Sequence, residues 1–337
     1  MGSRKRKVIN LALQGGGAHG AFTWGVLDRL LEDERLTIEG ISATSSGAIN
    51  AVALAYGLTL DGNDGARRVL ADLWGRVGIT VPGYAATSNV HRIDRTLALE
   101  GALALSRIFS PYELNPLNLD PLREIVTKLI DFERLRTACP LKLYIAATQV
   151  RTGKLRLFET KEISPQALLA SACLPSLHHA IEIDGEPYWD GGYAGNPALY
   201  PLFYNCDSRD MVVVLLHPLS RPSVPTSASS IHHRTTELSF GTTFLREMRS
   251  IAHAKGQVND HLWSLGRLER RLRRLNVHLI GPDQALAEQD STSKLDNQAA
   301  FLDWLRDRGR MQANAWLNDN FDSLSRRSSA NLTSLFL

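Results

Sequence analysis

Residues 11–20 read LALQGGGAHG, and this stretch decides the fold. The apolar run from Val8 to Leu13 predicts a buried β-strand. After the glycines, apolar residues at three- and four-residue spacing predict a helix: Phe22, Val26, Leu27, Leu30 and Leu31. A strand, a glycine loop and a helix N-terminus together direct backbone N–H groups at an anion. That anion is either a bound phosphate or an oxyanion that exists only in a transition state.

The overall composition is that of a globular protein. With 337 residues, the chain has room for one large domain or two smaller ones. Its net charge of +3 is too small to favour nucleic acid as a partner. The three cysteines have no CxxC spacing, so they indicate neither a disulfide framework nor a zinc site. Buried free thiols are expected instead.

Short apolar runs and the N-terminal sequence bear on the location of the protein. The longest apolar runs are too short to span a bilayer, and no signal-peptide core follows the basic N-terminus. We expect a cytoplasmic protein with at most a peripheral contact with membranes.

Strand and helix patterns alternate along the chain, which predicts a three-layer α/β/α sandwich with a largely parallel central sheet. We place the main domain at residues 8–218, where residues 77–120 form a less regular insert and a candidate cap. A mostly helical extension, residues 219–320, is expected to pack on this domain. The polar tail, residues 321–337, is predicted to be disordered.

Three further patterns concern local structure. Glycine-containing turns at residues 151–154 and 184–186 predict two β-hairpins. The apolar spacing from Leu238 to Leu272 predicts one long helix.

A second loop, residues 41–48 with the sequence ISATSSGA, carries the candidate nucleophile. A strand that enters a helix through x-x-Ser-x-Gly has the pattern of a nucleophile elbow. Ser45 is the serine two residues before Gly47, and Ser46 supplies a backbone N–H group. The helix N-terminus stabilises an alkoxide and the following oxyanion. Taken alone the pattern is weak, because small-residue turns between strand and helix are common.

The two loops support each other, because neighbouring parallel strands end at the same edge of a sheet. The N–H groups of Gly15, Gly16 and Gly17 can then face Ser45 as an oxyanion hole, together with that of Ser46. Such donors contribute roughly 2.7–4 kcal/mol each to acyl transfer. A third element is Asp190, which closes an apolar segment just before two glycines. A plain turn explains this third element, taken alone, better than a catalytic site does.

Taken together, these motifs resemble those of the patatin-like phospholipases. They are GGGAHG at 15–20, ATSSG at 43–47 and DGG at 190–192, and SACLP at 171–175 resembles a further block of that family. The resemblance extends over about residues 8–216 and rests on four separate motifs in order.

The resemblance implies a serine acyl-ester hydrolase with a Ser–Asp dyad. Ser45 is then the nucleophile, Asp190 accepts its proton, and Gly15 to Gly17 line the oxyanion hole. The implied substrates are phospholipids or other fatty-acyl esters, and water resolves an acyl-Ser45 intermediate. We expect that this reaction needs no metal and no other cofactor. A carboxylate is a weak base for a hydroxyl, so the dyad needs a direct hydrogen bond and a desolvated site.

The sequence departs from the family pattern at two positions. Ala43 stands where the family has glycine before the elbow, and His19 stands where the glycine loop has a basic residue, most often arginine. A contribution of His19 to the oxyanion hole requires protonation near its ordinary pKa of ~6.5. A structural role in the loop is an equally good interpretation.

Several alternatives stay open at this point. Gly15, Gly17 and Gly20 match the G-x-G-x-x-G pattern of a dinucleotide site, but the second strand does not end in an acidic residue. His217 follows Ser45 and Asp190 in the order of a Ser–Asp–His triad, as in an esterase, a thioesterase or a polyester depolymerase. A non-catalytic lipid-binding protein is a further alternative, although it needs no elbow serine.

The arginine-rich segment 267–274 suits either anionic lipid headgroups or a solvated helix face. The adjacent pairs His178-His179 and His232-His233 are expected at the surface. The natural substrate and the oligomeric state are not predicted.

Overall fold

The computed structural model describes residues 6–79, 109–221, 224–260, 266–289 and 291–337. Eight strands in these ranges form one sheet: β1 (Lys7–Leu13), β2 (Leu36–Thr44), β3 (Lys142–Gln149), β4 (Leu155–Glu159), β5 (Ile181–Ile183), β6 (Glu186–Asp190), β7 (Asp210–Val214) and β8 (Asn276–Ile280). The order across the sheet is β5-β6-β3-β2-β1-β7-β8, and β4 pairs with β3. Strands β3, β2, β1, β7 and β8 run parallel, whereas β4, β5 and β6 pair in antiparallel fashion.

Helices lie between and after these strands. In chain order they are α1 (Gly20–Glu32), α2 (Ser46–Ile79), α3 (Pro111–Leu114), α4 (Pro121–Leu129), α5 (Phe132–Ala138), α6 (Pro165–Ser171), α7 (Tyr200–Asn205), α8 (Ala228–Asp260), α9 (Arg267–Arg274), α10 (Gln284–Ala287), α11 (Ala299–Asn320) and α12 (Leu332–Phe336). Short 3₁₀ turns include Gly17–His19 and Ser291–Leu295. Helix α2 is interrupted at Asp61 and Gly62, whose backbone angles are not helical.

The central strands are buried on both faces, which explains why they read as continuous apolar runs. In β1, Leu11 and Leu13 point into one hydrophobic cluster with helices α1, α2 and α11. Ala12, between them, points into a second cluster with α7 and α8. Helices therefore cover both faces of the sheet, and the predicted three-layer α/β/α sandwich with a largely parallel sheet is confirmed.

The two predicted hairpins are present as β3–β4 and β5–β6. Gly153 and Gly185 take positive φ angles of 67° and 77° in their turns, a conformation that glycine adopts without a Cβ penalty. The predicted long helix appears as two described helices, α8 and α9, and residues 261–265 between them lie outside the described residues. Most of the predicted insert also lies outside them, since residues 80–108 are not described.

The tail is the main departure from the sequence-based expectation. Residues 321–337, predicted to be disordered, include α12 and pack on the domain, with Leu324 and Leu332 buried. The backbone N–H of Ser325 donates to both carboxylate oxygens of Asp210 at 2.9 Å. Asp210 is itself buried and needs such donors, so the tail supplies hydrogen bonds to a buried carboxylate.

The C-terminal helices lie directly on the first helix. At Gly25 a Cβ atom would overlap the Arg306 carbonyl, and at Gly309 it would overlap the Phe22 carbonyl. Helices α1 and α11 therefore pack at backbone contact, which only glycine permits. Arg310 adds ion pairs to Asp28 and Glu32 of α1. In the described part of the chain, none of the helices has the length and apolar composition of a membrane-spanning segment.

Candidate active site

Ser45 occupies a strained turn between β2 and α2. Its φ angle is 55°, in the left-handed region that a residue with a Cβ atom rarely adopts. A Cβ atom on Gly47 would lie 2.5 Å from the Leu13 carbonyl oxygen, and one on Gly15 would lie 2.6 Å from Ser45 Cβ. The backbone N–H of Ser45 donates to Ser171 Oγ at 2.9 Å. The turn is held by close contact with the glycine loop, as the predicted nucleophile elbow would require.

The predicted oxyanion donors fall into two pairs. The Gly15 N–H donates to Asn196 Oδ1 at 2.7 Å, and the Gly16 N–H donates to Ser46 Oγ at 3.0 Å. No described residue accepts a hydrogen bond from the N–H of Gly17 or of Ser46. Gly15 and Gly16 therefore fix the loop, and Gly17 and Ser46 have N–H groups available for an anion.

Asp190 reaches Ser45 across strand β3. Ala146 of β3 pairs with Thr44, the last residue of β2, while the adjacent Ala147 pairs with Asp190, the last residue of β6. The register thus brings the residue after β2 and the end of β6 to the same edge of the sheet. Gly191 follows at a point where a Cβ atom would overlap the Ala146 carbonyl.

The Asp190 carboxyl is fully buried, with 0% of the residue exposed. Its Oδ1 accepts a hydrogen bond from the Gly192 N–H at 2.7 Å. Burial raises the pKa of Asp190 to about 7, and the Ser45 side chain and the Gly192 N–H act in the opposite direction. A base with a pKa near neutrality is well matched to proton transfer at neutral pH.

The contact between Ser45 and Asp190 is looser than a full hydrogen bond. Asp190 Oδ2 is buried and has no hydrogen-bond partner of normal geometry among the described residues. The Ser45 hydroxyl is nevertheless close enough to influence the carboxyl. Catalytic hydrogen bonds are commonly long without substrate and shorten in the reacting complex.

His19, the departure noted in the glycine loop, is buried with 3% of the residue exposed. Its Nε2 lies 2.8 Å from Ser293 Oγ, and Nδ1 has no partner among the described atoms. Burial, with the charges of Lys294 and Arg221, lowers the pKa of His19 to about 3. The ring is therefore neutral at neutral pH, and the glycine loop carries no cation of its own.

His217, the residue of the alternative triad, lies in the same cavity as Ser45 but has different partners. Its Nδ1 lies 3.1 Å from Lys294 Nζ. Burial and the Lys294 charge lower the pKa of His217 well below its ordinary value, and the backbone of Gly15 opposes this. Within the described ranges no hydrogen bond joins His217 to Ser45 or Asp190, so the contacts of a triad are not formed.

These groups line a cavity of about 390 Å³. Its remaining lining is mostly apolar or comes from helix α8 and the turn at 291–295: Leu174, Ser176, Leu177, Tyr193, His232, His233, Thr236, Glu237, Phe240, Thr292, Lys294 and Leu295. His232 is exposed, as expected, and His233 is half-buried; both line this cavity. The described residues include no cluster of His, Cys, Asp or Glu that could hold a metal.

The sequence alone did not indicate a role for some of these residues. Lys294 and Glu237 lie in segments without a recognisable motif, and Asn196 carried no signal of its role beside Gly15. Ser171 belongs to the SACLP segment, which the resemblance had singled out without assigning its hydroxyl a partner.

A model of the patatin-like phospholipase family matches residues 11–203, more than half of the chain. The chain belongs to the patatin-like phospholipase family. Membership supports a lipid ester hydrolase. The matched region contains Ser45 and Asp190, and it ends before His217, Glu237 and Lys294.

Two solved structures show distant similarity to this patatin-like chain. VipD from Legionella pneumophila is 15% identical, with a TM-score of 0.36, over 90% of this chain and 67% of VipD. The ExoU chain in the ExoU–SpcU complex of the type III secretion system of Pseudomonas aeruginosa is 16% identical, with a TM-score of 0.30, over 98% of this chain and 75% of the other. A search of curated protein sequences found no match.

Proposed function

We propose that this protein hydrolyses fatty-acyl esters of lipids with a Ser45–Asp190 dyad. The observation that carries the proposal is the strained Ser45 turn beside a buried carboxyl whose pKa is raised to about 7. A surface aspartate is too acidic to take a proton from serine efficiently, whereas burial makes Asp190 a stronger base.

The proposed reaction has two steps. In the first, Ser45 Oγ attacks the acyl carbonyl carbon while Asp190 takes the hydroxyl proton, and the tetrahedral oxyanion accepts hydrogen bonds from the Gly17 and Ser46 N–H groups. The alcohol leaves with the proton from Asp190, and acyl-Ser45 is formed. In the second step, Asp190 takes a proton from water, which attacks the acyl carbonyl carbon. The bond to Ser45 Oγ then breaks, Asp190 returns the proton to Ser45 Oγ, and the fatty acid is released.

The cavity suits an acyl chain, since Leu174, Leu177, Phe240 and Leu295 line it next to Ser45. Lipid substrates are presented at a membrane or micelle surface, so we propose a peripheral contact there. The arginines of α9 do not serve this contact. They line a different cavity with Asp207 and Arg209, before strand β7, at the opposite edge of the sheet from Ser45.

The test compares Ser45→Ala and Asp190→Asn with the wild type, on a p-nitrophenyl acyl ester and on a phospholipid. Both variants are expected to lose at least about 10³-fold in kcat/KM. Ser250→Ala and Asp303→Asn, at exposed positions of α8 and α11, are matched controls that keep full activity. A fluorophosphonate should form an adduct on Ser45, detected by mass spectrometry of the digested protein.

Each alternative predicts a distinct result. A lipid-binding protein gives no adduct and no hydrolysis. A Ser–Asp–His triad predicts that His217→Ala is as inactive as Ser45→Ala, whereas the dyad predicts activity well above that of Ser45→Ala. Near wild-type activity of Asp190→Asn contradicts the dyad.

A further inference from the structure

Lys294 enters the Ser45 cavity from a segment that the family model does not cover. Its backbone carbonyl packs against Gly17, where a Cβ atom would overlap it. Its side chain reaches His217, where Nζ donates to His217 Nδ1 at 3.1 Å. The turn at Ser291–Leu295 is thus built against the candidate oxyanion donors.

Within the described residues, the Lys294 ammonium has no carboxylate in ion-pair contact. Glu237, which lines the same cavity, is already paired with Arg221 at 3.3 Å and with Arg234 at 3.2 Å. Burial lowers the pKa of Lys294 to about 8, with Glu237 acting against this and Arg221 adding to it. The lysine is therefore mostly charged at pH 7, and a partly buried cation without an ion-pair contact favours an anion in the cavity.

His217 sets the position of that charge. Because an ammonium group can only donate, His217 Nδ1 accepts, and the proton of the neutral ring is on Nε2. The backbone of Gly15 is the hydrogen-bond partner that supports this ring. A chain of contacts therefore links Lys294 to Gly15, whose N–H is fixed in turn by Asn196.

We propose that Lys294 supplies the positive charge of the oxyanion site, and that His217 is the positioning residue that holds its ammonium beside the glycine loop. The inference rests on the proposed function. His19, the histidine of the glycine loop, is neutral and does not supply such a charge. A charge on the oxyanion appears only in the transition state, so Lys294 acts on kcat and leaves KM for an uncharged ester unchanged.

The rate should depend on two ionisations. Asp190 must lose its proton, which gives a rise in kcat through pH about 7, and Lys294 must keep its proton, which gives a fall through pH about 8. The titratable and charged groups around Lys294 are His217 after β7, His19 in the glycine loop, Arg221, and Glu237 on α8. His232 and His233 of α8 line the same cavity. His217 and His19 are already neutral in this range, so neither accounts for the fall.

The experiment measures hydrolysis of p-nitrophenyl butyrate, an uncharged ester, from pH 6 to 10. The released p-nitrophenol is followed at the wavelength where p-nitrophenol and its anion absorb equally. Lys294→Met is expected to lower kcat about 10- to 100-fold with little change in KM, and to lack the alkaline fall. Lys294→Arg keeps a cation that does not titrate, so its kcat should stay high above pH 8. Lys128→Met, an exposed lysine of α4, is the control with wild-type kinetics.

Three outcomes overturn the proposal. An unchanged kcat in Lys294→Met contradicts it. A wild-type pH profile of kcat without an alkaline fall also contradicts it, and this measurement does not depend on the folding of a variant. A second substrate pair, a monoacylglycerol and the lysophosphatidylglycerol of the same chain length, tests whether Lys294 binds a phosphate instead. If Lys294→Met raises KM for the phosphate-containing ester alone, the lysine recognises a headgroup and the proposal fails.

The proposed function fails in a different way. In that case the wild type neither hydrolyses the ester nor forms a Ser45 adduct with a fluorophosphonate. A wild type that does both, with Lys294→Met reacting at the same rate, refutes the role of Lys294 alone.

Discussion

Replacing Asp190 by asparagine is expected to stabilise the fold at alkaline pH while it abolishes activity. Asparagine has nearly the same shape, and its Oδ1 can still accept the hydrogen bond from the Gly192 N–H. The substitution removes a carboxylate that is fully buried and must ionise in place. The proposed mechanism requires the ionised state of Asp190, and this buried charge lowers the free energy of unfolding of the wild type.

The size of the effect follows from the pKa of Asp190, which rises from an ordinary 3.8 to about 7 in the folded protein. At 1.36 kcal/mol per unit, ionisation of this carboxyl lowers the free energy of unfolding by ~4 kcal/mol above pH 7. The folded state binds more protons than the unfolded state between pH 4 and 7, so stability falls as pH rises through that window. The advantage of Asp190→Asn should therefore grow by about 2–3 kcal/mol between pH 5 and pH 8.

Urea unfolding of the wild type and Asp190→Asn at pH 5, 6.5 and 8 measures this difference. Ser45→Ala is the matched control, because it is also expected to be inactive but keeps the buried carboxyl and its pH dependence. A stability difference between Asp190→Asn and the wild type that is the same at pH 5 and pH 8 would refute the reasoning, even if the variant is inactive.

Three further changes test how the loops are held, each by urea unfolding and ester hydrolysis. Gly47→Ala places a Cβ atom 2.5 Å from a β1 carbonyl oxygen, so it should lower the free energy of unfolding by about 1–3 kcal/mol and remove most of the activity. Gly75→Ala is the control: it has open space around it and should leave stability unchanged or raise it by up to ~1 kcal/mol. Ser46→Ala leaves the Gly16 N–H without its acceptor and should cost about 1–3 kcal/mol and lower kcat. Removal of residues 325–337 takes two hydrogen bonds from a buried carboxylate of β7 and should cost about 2 kcal/mol or more, while a disordered tail would be lost without effect.

The fold could be predicted from the sequence where local patterns decide it. The run from Val8 to Leu13, the three glycines after it and the small residues around Ser45 each have a local cause, and they indicated two parallel strands with loops at one edge. The hairpin turns at Gly153 and Gly185 were predictable for the same reason.

The rest depends on contacts between distant segments, which local patterns do not contain. The burial of Asp190 follows from the register of β6 on β3. The N–H groups of Gly15 and Gly16 are occupied because Asn196 and Ser46 accept their hydrogen bonds. The order of the tail depends on Asp210, a buried carboxylate in β7 that accepts hydrogen bonds from Ser325 of the tail. Lys294 lies in a short turn whose sequence has no feature that distinguishes it from a surface loop.

The backbone contact between α1 and α11 has a consequence for synthesis of the chain. Helix α1 starts at the glycine loop, and its outer face is covered by residues 299–320. A nascent chain therefore exposes that apolar face until nearly three hundred further residues have been made. We expect the Ser45 region to stay loosely packed on the ribosome, so that the proposed hydrolytic activity arises only after helix α11 has been made.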